Sequence, residues 1–376
     1  MRWQQQVEYG PAGVKAAAHG ETLHGHDHGL PVAPDLMSGA HSKRVSGLPL
    51  DPASRVYSDS ASAAGLAEAG CGRTCQSVNK AAGTHMDESV IFDRNAVRLH
   101  RDRAHASVDR VADILADAAT RLLDRLDDIK HRFARALDVG GRGVVAPMLR
   151  ARGIETVSCD LSARMAARNG GLAVAADEEW LPFAPGSFDL IVANVSLHWV
   201  NDLPGALIQL RRALRPDGLL LASMPILPTL APLRAALLGA EAELLGGASA
   251  RISPFPELRD CASLLQRAGF ALPVADSDEI MLSYANPLAL LADLRAAGEA
   301  NAVTLRNRRI PPGALFAQTL GRLQQGEDGR IAMPLKLAMM TGWSPSPDQP
   351  KALKPGQFTV RLEDALNAMP DPTPNS

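Results

Sequence analysis

At 376 residues the chain exceeds a typical single domain of roughly 100–200 residues, so one elaborated domain or two modest ones are expected. Hydrophobic residues at 46% and charged residues at 21% exclude wholesale disorder and fibrous repeats. A net charge of -2 supplies no global field for nucleic acid or anionic membrane, and four cysteines, Cys71, Cys75, Cys159 and Cys261, are too few for a disulfide-stapled secreted scaffold.

Residues 1–85 are rich in Gly, Ala, Ser and His and show no sustained apolar period, so this segment is expected to be a disordered tail. His19, His24, His26 and His28 cluster there, and Cys71 and Cys75 form a C-x3-C pair. Neither has the rigid frame or second ligand pair that a structural zinc site needs, so no metal site is assigned. Met86 is a candidate initiator, which would make the preceding residues an over-extended start.

From Val90 the texture changes. Val108, Val111, Leu115, Ala118, Leu122, Leu126, Ile129 and Phe133 recur at three-to-four spacing, which predicts one amphipathic helix. Arg94, Arg98, Arg101, Arg103 and Arg110 precede or begin it; with Asp102 and Asp109 interleaved they are read as a solvated helix face rather than a phosphate-binding stripe.

Strands are predicted over 134–139, 154–159, 172–176 and 189–195, with helices over 144–152, 162–169 and 203–215 between and after them. The turn Pro216-Asp217-Gly218 leads to the strand Leu219 to Met224, and the apolar run to Leu233 reads as buried strand leading into a loop. Three prolines and Arg234 interrupt that run short of the roughly 18–20 residues a membrane span requires. Apolar strands alternating with amphipathic helices argue for an α/β fold, a mostly parallel sheet covered on both faces.

Beyond it, Gly269 ends a helix, residues 274–284 alternate like an outer strand, and Asn286-Pro287 opens a helix running to about Gly298. Residues 331–343 form a last strand in which Pro334 marks an edge or bulge, and a Pro-rich polar tail begins at Ser344.

The candidate site follows from the strand ends. LDVGGRG, with Asp138, Gly140, Gly141 and Gly143, lies between a strand and a helix, where turn amides can face a ligand or where glycines simply allow a tight turn. Asp160 closes the next strand about 20 residues on, where a carboxylate can accept from ribose hydroxyls, and Asp177 follows the third. Three carboxylates at successive strand ends suit a nucleoside. His198, the last histidine of the chain, follows the fourth strand beside Trp199; it is either a general base or a structural histidine ordering the substrate-side wall.

LDVGGRG, SCDLS, DEEWLPFAPGSFDLIVANVSLHWVNDLPGAL and LRRALRPDGLLLASM resemble the class I S-adenosylmethionine-dependent methyltransferases. Phe92 to about Leu362 resembles more closely their complex I assembly factor 5 branch and its bacterial relatives, through SLHWVNDLPGAL, ISPFPELRDCASLLQRAGF and MTGWSP. A more distant likeness is to the malonyl-carrier-protein methyltransferases of biotin synthesis.

This resemblance implies a Rossmann-like seven-stranded, mostly parallel sheet with helices on both faces, an N-terminal helical segment over 86–133, a methyltransferase domain over 134–343 with a helical C-terminal elaboration, and an extended tail over 344–376. It implies S-adenosyl-L-methionine as cofactor, with Gly140, Gly141 and Gly143 near its methionine part, Asp160 on the ribose, Asp177 and Glu178 flanking the adenine, and Asn194 near the sulfonium. His198 would be catalytic. The family usually reads D-x-G-x-G-x-G, so this turn is one residue shorter. The implied partner is a protein substrate, such as an iron–sulfur subunit of the respiratory NADH dehydrogenase modified on arginine, in the cytoplasm or the mitochondrial matrix. The alternatives are a malonyl-carrier-protein O-methyltransferase and a non-catalytic assembly chaperone that keeps the fold. An iron site of two histidines and a carboxylate would need His100 or His105 beside His198.

Overall fold

The computed structural model describes residues 90–349. The expected His cluster, the Cys71/Cys75 pair, Met86 and the tail beyond residue 349 lie outside the described residues.

Seven strands form one sheet in the order β3-β2-β1-β4-β5-β7-β6. β1 (Arg135–Val139), β2 (Glu155–Asp160), β3 (Leu172–Ala175), β4 (Phe188–Asn194) and β5 (Leu214–Pro225) pair in parallel. β7 (Ile331–Trp343) runs antiparallel to both β5 and β6 (Ala271–Tyr284). This is the class I methyltransferase order. The sequence reverses direction across the sheet between β1 and β4, and in such sheets the ligand crevice lies beyond the carboxyl ends of the strands at that switch point.

Helices cover both faces because the central strands are apolar on both sides. β4 is buried at every position. Its Leu190 and Val192 pack with α2 (Ala112–Leu123) and α3 (Val145–Ala151), whereas Ile191 and Ala193 pack with α5 (Leu203–Ala213) and α7 (Leu258–Arg267). Alternate residues of one strand therefore feed two cores. The remaining helices are α1 (Arg94–Ala104), α4 (Ala163–Ala167), α6 (Ala231–Leu245), α8 (Pro287–Ala296) and α9 (Gly313–Gly321).

The expected caps are present. Asn286 accepts from the Leu288 amide at 2.8 Å and opens α8, and Gly269, at φ +80°, follows the end of α7. β6 lies at the sheet edge as expected. Pro334 belongs to a strand with two neighbours, yet β5 pairs with β7 only from Leu337 onward. At Pro334 the strand thus has β6 alone beside it, so the missing amide hydrogen spoils no ladder bond.

Three expectations change. The single helix over 108–133 is a 3-10 turn (Val108–Val111), α2, and a second 3-10 turn ending at Leu126. Ile129 and Phe133 still pack on the core, but from a loop, because apolar spacing reports which residues turn inward and not whether the backbone continues. The run ending at Leu233 does not end as loop: α6 begins at Ala231, with Pro232 in its first turn, where no intrahelical amide donor is lost. The arginines before α2 are not a uniformly solvated face. α1 is a separate helix, Arg98 and Arg103 are exposed, and Arg94 and Arg101 turn inward onto the strand ends.

Candidate active site

The glycine turn after β1 is held from two sides. Gly140 adopts φ +73° and donates its amide to the Cys159 carbonyl at 2.8 Å; a Cβ at this position would lie 2.3 Å from that of Ser196, just past β4. Only glycine fits there. Asn169 clamps the rest, donating from Nδ2 to the Gly141 carbonyl at 3.0 Å and accepting from the Gly143 amide at 2.9 Å. Asn169 sits just beyond α4 with no motif to mark it, and sequence reasoning missed it.

Asp138, near the end of β1, is fully buried, with the Ala146 amide and the Ser158 hydroxyl facing its carboxylate. Burial, reinforced by the Asp160 charge, pushes its pKa up to about 7. With Gly140, Gly141, Arg142 and Asn194 it lines a nook of about 10 Å³, room for about one water molecule. A raised carboxylate pKa opposes folding once the unfolded chain ionises, so stability is expected to fall as pH rises from about 4 through 7. Asp138→Asn should remove up to ~4 kcal/mol of that cost at pH 8 and nothing at pH 3, read as a melting-temperature gain present only at the higher pH. Equal gains at both pH values would refute the buried-charge account.

Asn194 ends β4 with both amide ends engaged: Nδ2 donates to the Leu115 carbonyl at 2.9 Å and Oδ1 accepts from Ser223 Oγ at 2.8 Å. It ties α2 to the strand ends while keeping its place beside the glycine turn.

At the ends of β2 and β3 the carboxylates meet arginines. Asp160, wholly buried, accepts from Arg101 Nη1 at 2.7 Å and from the Ser162 amide at 2.7 Å. Asp177 accepts from Arg94 Nη2 at 2.6 Å, and the buried Glu178 accepts from the same nitrogen. Arg94 Nη1 reaches on to the Trp199 carbonyl at 3.0 Å. α1 is thereby strapped to the ends of β2 and β3 and to the turn after β4. Burial pushes the Asp160 pKa up even against the attraction of Arg101, whose own guanidinium is held charged against its burial by Asp160 and Glu178.

His198, just past β4, lines a separate cavity and has a partner that no motif suggested. Glu299 Oε2 is 2.6 Å from His198 Nε2 and accepts from Trp199 Nε1 at 2.7 Å, while Oε1 accepts from Arg142 Nη2 at 2.6 Å. Burial works to raise the Glu299 pKa, but His198 and Arg142 outweigh it and hold the carboxyl well below the usual range. The other ring nitrogen of His198, Nδ1, is buried without a hydrogen-bond partner among the described residues.

The structure thus brings Asp138, Gly140, Gly141 and Asn194 around one nook; His198 lines an adjoining cavity that shares Leu115 and Arg142 with it, and Asp160, Asp177 and Glu178 lie at the ends of β2 and β3 against Arg94 and Arg101. Residues 109–273 match the family model described as a methyltransferase domain. The chain is 33% identical over 310 residues to "Arginine-hydroxylase NDUFAF5, mitochondrial" of Danio rerio, covering 78% of this chain and 94% of that protein. The Homo sapiens protein of the same name is 35% identical, covering 72% of this chain and 81% of its own length. The chain belongs to this methyltransferase-domain family. The family also includes the "Malonyl-[acyl-carrier protein] O-methyltransferase" of Laribacter hongkongensis, 32% identical over 74% of this chain and 98% of that protein. As a member the chain is an enzyme of the methyltransferase type, and no described helix is long and apolar enough to cross a membrane.

Proposed function

We propose that the chain transfers a methyl group from S-adenosyl-L-methionine, with the cofactor in the crevice at the β1/β4 switch point. The observation that carries this is the buried Asp138 carboxylate at a turn where Gly140 and Gly141 leave no room for a side chain. The residues fit the group in kind. Gly140, Gly141 and Gly143 would face the methionine part, Asp160 the ribose hydroxyls, and Asp177 with Glu178 the adenine, where Arg94 and Arg101 must share or yield those carboxylates. The cofactor would supply an electrophilic methyl group. The chain aligns the acceptor with it, and His198 Nδ1 can take the acceptor's proton once Glu299 has fixed the ring.

The setting follows the first group of relatives: a protein substrate in respiratory complex I assembly, an iron–sulfur subunit among the candidates. A second reading, methylation of an acyl group on a carrier protein, is supported by the apolar cavity beside His198. Calorimetry with S-adenosylhomocysteine tests the core of the reading. The wild-type chain should bind it, and Asp160→Asn should weaken binding at least tenfold while the fold persists by circular dichroism. No heat from the wild-type chain would sink the proposal.

A further inference from the structure

A cavity of about 340 Å³ lies between the sheet and helices α2, α6, α8 and α9, and His198 and Glu299 line it. Part of its wall is not a regular element. Arg251, Ile252, Ser253 and Phe255 come from the loop over 246–257 that joins α6 to α7.

Side chains hold this loop from both flanks. Glu241, on α6 and only 2% exposed, accepts from the Ser249 amide at 2.8 Å, from Ser249 Oγ, and from Arg251 Nε and Nη2 at 2.9 and 2.6 Å. Arg234, also on α6, donates to the Ser253 carbonyl at 2.6 Å. From the other flank Asn301, two residues past Glu299, donates to the Ala250 carbonyl at 2.7 Å. The loop therefore closes the wall between α6 and the segment that carries the partner of His198. At its start Gly246, at φ +66°, and Gly247 are exposed, and nothing lies within 4 Å of where their side chains would begin. The backbone can pivot there without giving up packing.

We propose that this loop is the door of the cavity and that Glu241 is its latch. The inference holds for any acceptor, and it rests on the methyl-donor reading only for what the door serves. Ile252 and Phe255 are half-buried, so little apolar packing pins the loop; the four donors gathered on one buried carboxylate do most of the closing. Such charge-assisted bonds are strong while dry, yet each can be exchanged for water as the loop lifts, with the sheet and its two cores left intact. Opening of this kind belongs to the microsecond-to-millisecond range of lid motions.

Hydrogen exchange of the full chain, read peptide by peptide, tests the latch. In the wild type the amides over 247–256 should exchange ahead of the sheet. In Glu241→Gln they should exchange at least tenfold faster still, with the sheet unchanged. Stopped-flow fluorescence with N-phenyl-1-naphthylamine, a neutral apolar fluorophore, tests the door. Entry and exit should both quicken at least fivefold in the variant while the equilibrium affinity moves less than twofold, because a door changes the path and not the closed, occupied state. A merely structural Glu241 would instead weaken affinity. Ser249→Ala, which removes one of the four donors, should give the same pattern at smaller size, and it decides if Glu241→Gln fails to fold. A wild-type loop that exchanges only with the sheet, a wild type that takes up no fluorophore, or entry that stays slow once the loop is loosened would each overturn the proposal. Failure of the wild type to bind S-adenosylhomocysteine would count against the methyl-donor reading alone.

Discussion

Replacing Arg101 by methionine is expected to lower the melting temperature by roughly 6–15 °C, the counterpart of ~3–5 kcal/mol for breaking one side of a buried ion pair in a domain of this size. Both partners are inaccessible: the Arg101 side chain is 2% exposed and that of Asp160 is not exposed at all. Methionine fills similar volume, so the loss comes from the stranded carboxylate and not from a void. The double variant Arg101→Met with Asp160→Asn should recover most of the stability, because a neutral amide can be buried at lower cost once the cation is gone. The single variant should also gain a larger melting shift from S-adenosylhomocysteine than the wild type, since ribose hydroxyls would no longer compete with a guanidinium for Asp160. A loss below ~1 kcal/mol in the single variant would show that the pair carries little, and an unchanged ligand shift would show that Arg101 does not share the ribose position.

Glu299→Gln is the second large effect. The carboxylate holds Arg142, whose side chain is 3% exposed, together with His198 and Trp199. An amide would leave the buried guanidinium uncompensated, and a loss of ~3–5 kcal/mol is expected near neutral pH. The sign of the pH dependence follows from the carboxyl's lowered pKa. Stability from Glu299 is fully present above its ordinary value of 4.5 and is lost as pH falls through the lower native value. The gap in melting temperature between wild type and variant should therefore be widest near pH 7 and narrow in acid below about pH 4. Methyl transfer should fall in the variant with an altered pH profile, because a glutamine amide offers one oxygen where the carboxylate engages Arg142, His198 and Trp199 with two. A gap independent of pH would remove the ionised-carboxylate account.

The sheet was legible because each of its strands is a local signal: four short apolar runs closed by Asp, Gly or Asn, then Leu219 to Met224, then two long alternating segments. Asp138, Asp160 and Asp177 could be placed together from sequence since parallel strands bring their carboxyl ends to one side, whatever the loops between them do. The same logic set His198 beside the crevice, one turn past β4. Glu299 was invisible to it. This residue lies 101 positions from His198 in a loop after α8, and nothing local distinguishes it from a solvated glutamate.

Arg94 and Arg101 show the same limit from the other direction. Their spacing and charge describe a helix face, and a helix face with interleaved acids reads as solvated; only the docking of α1 over the ends of β2 and β3 turns two of its arginines into buried partners of Asp160, Asp177 and Glu178. What the chain order by itself determined was therefore a mostly parallel sheet covered on both faces and the acceptor groups that its strand ends deliver. The tertiary structure decided which charges neutralise one another in that crevice and that the space beside His198 is apolar. Strand ends converge through local geometry, whereas the pairing of buried charges depends on which distant segments exclude water together.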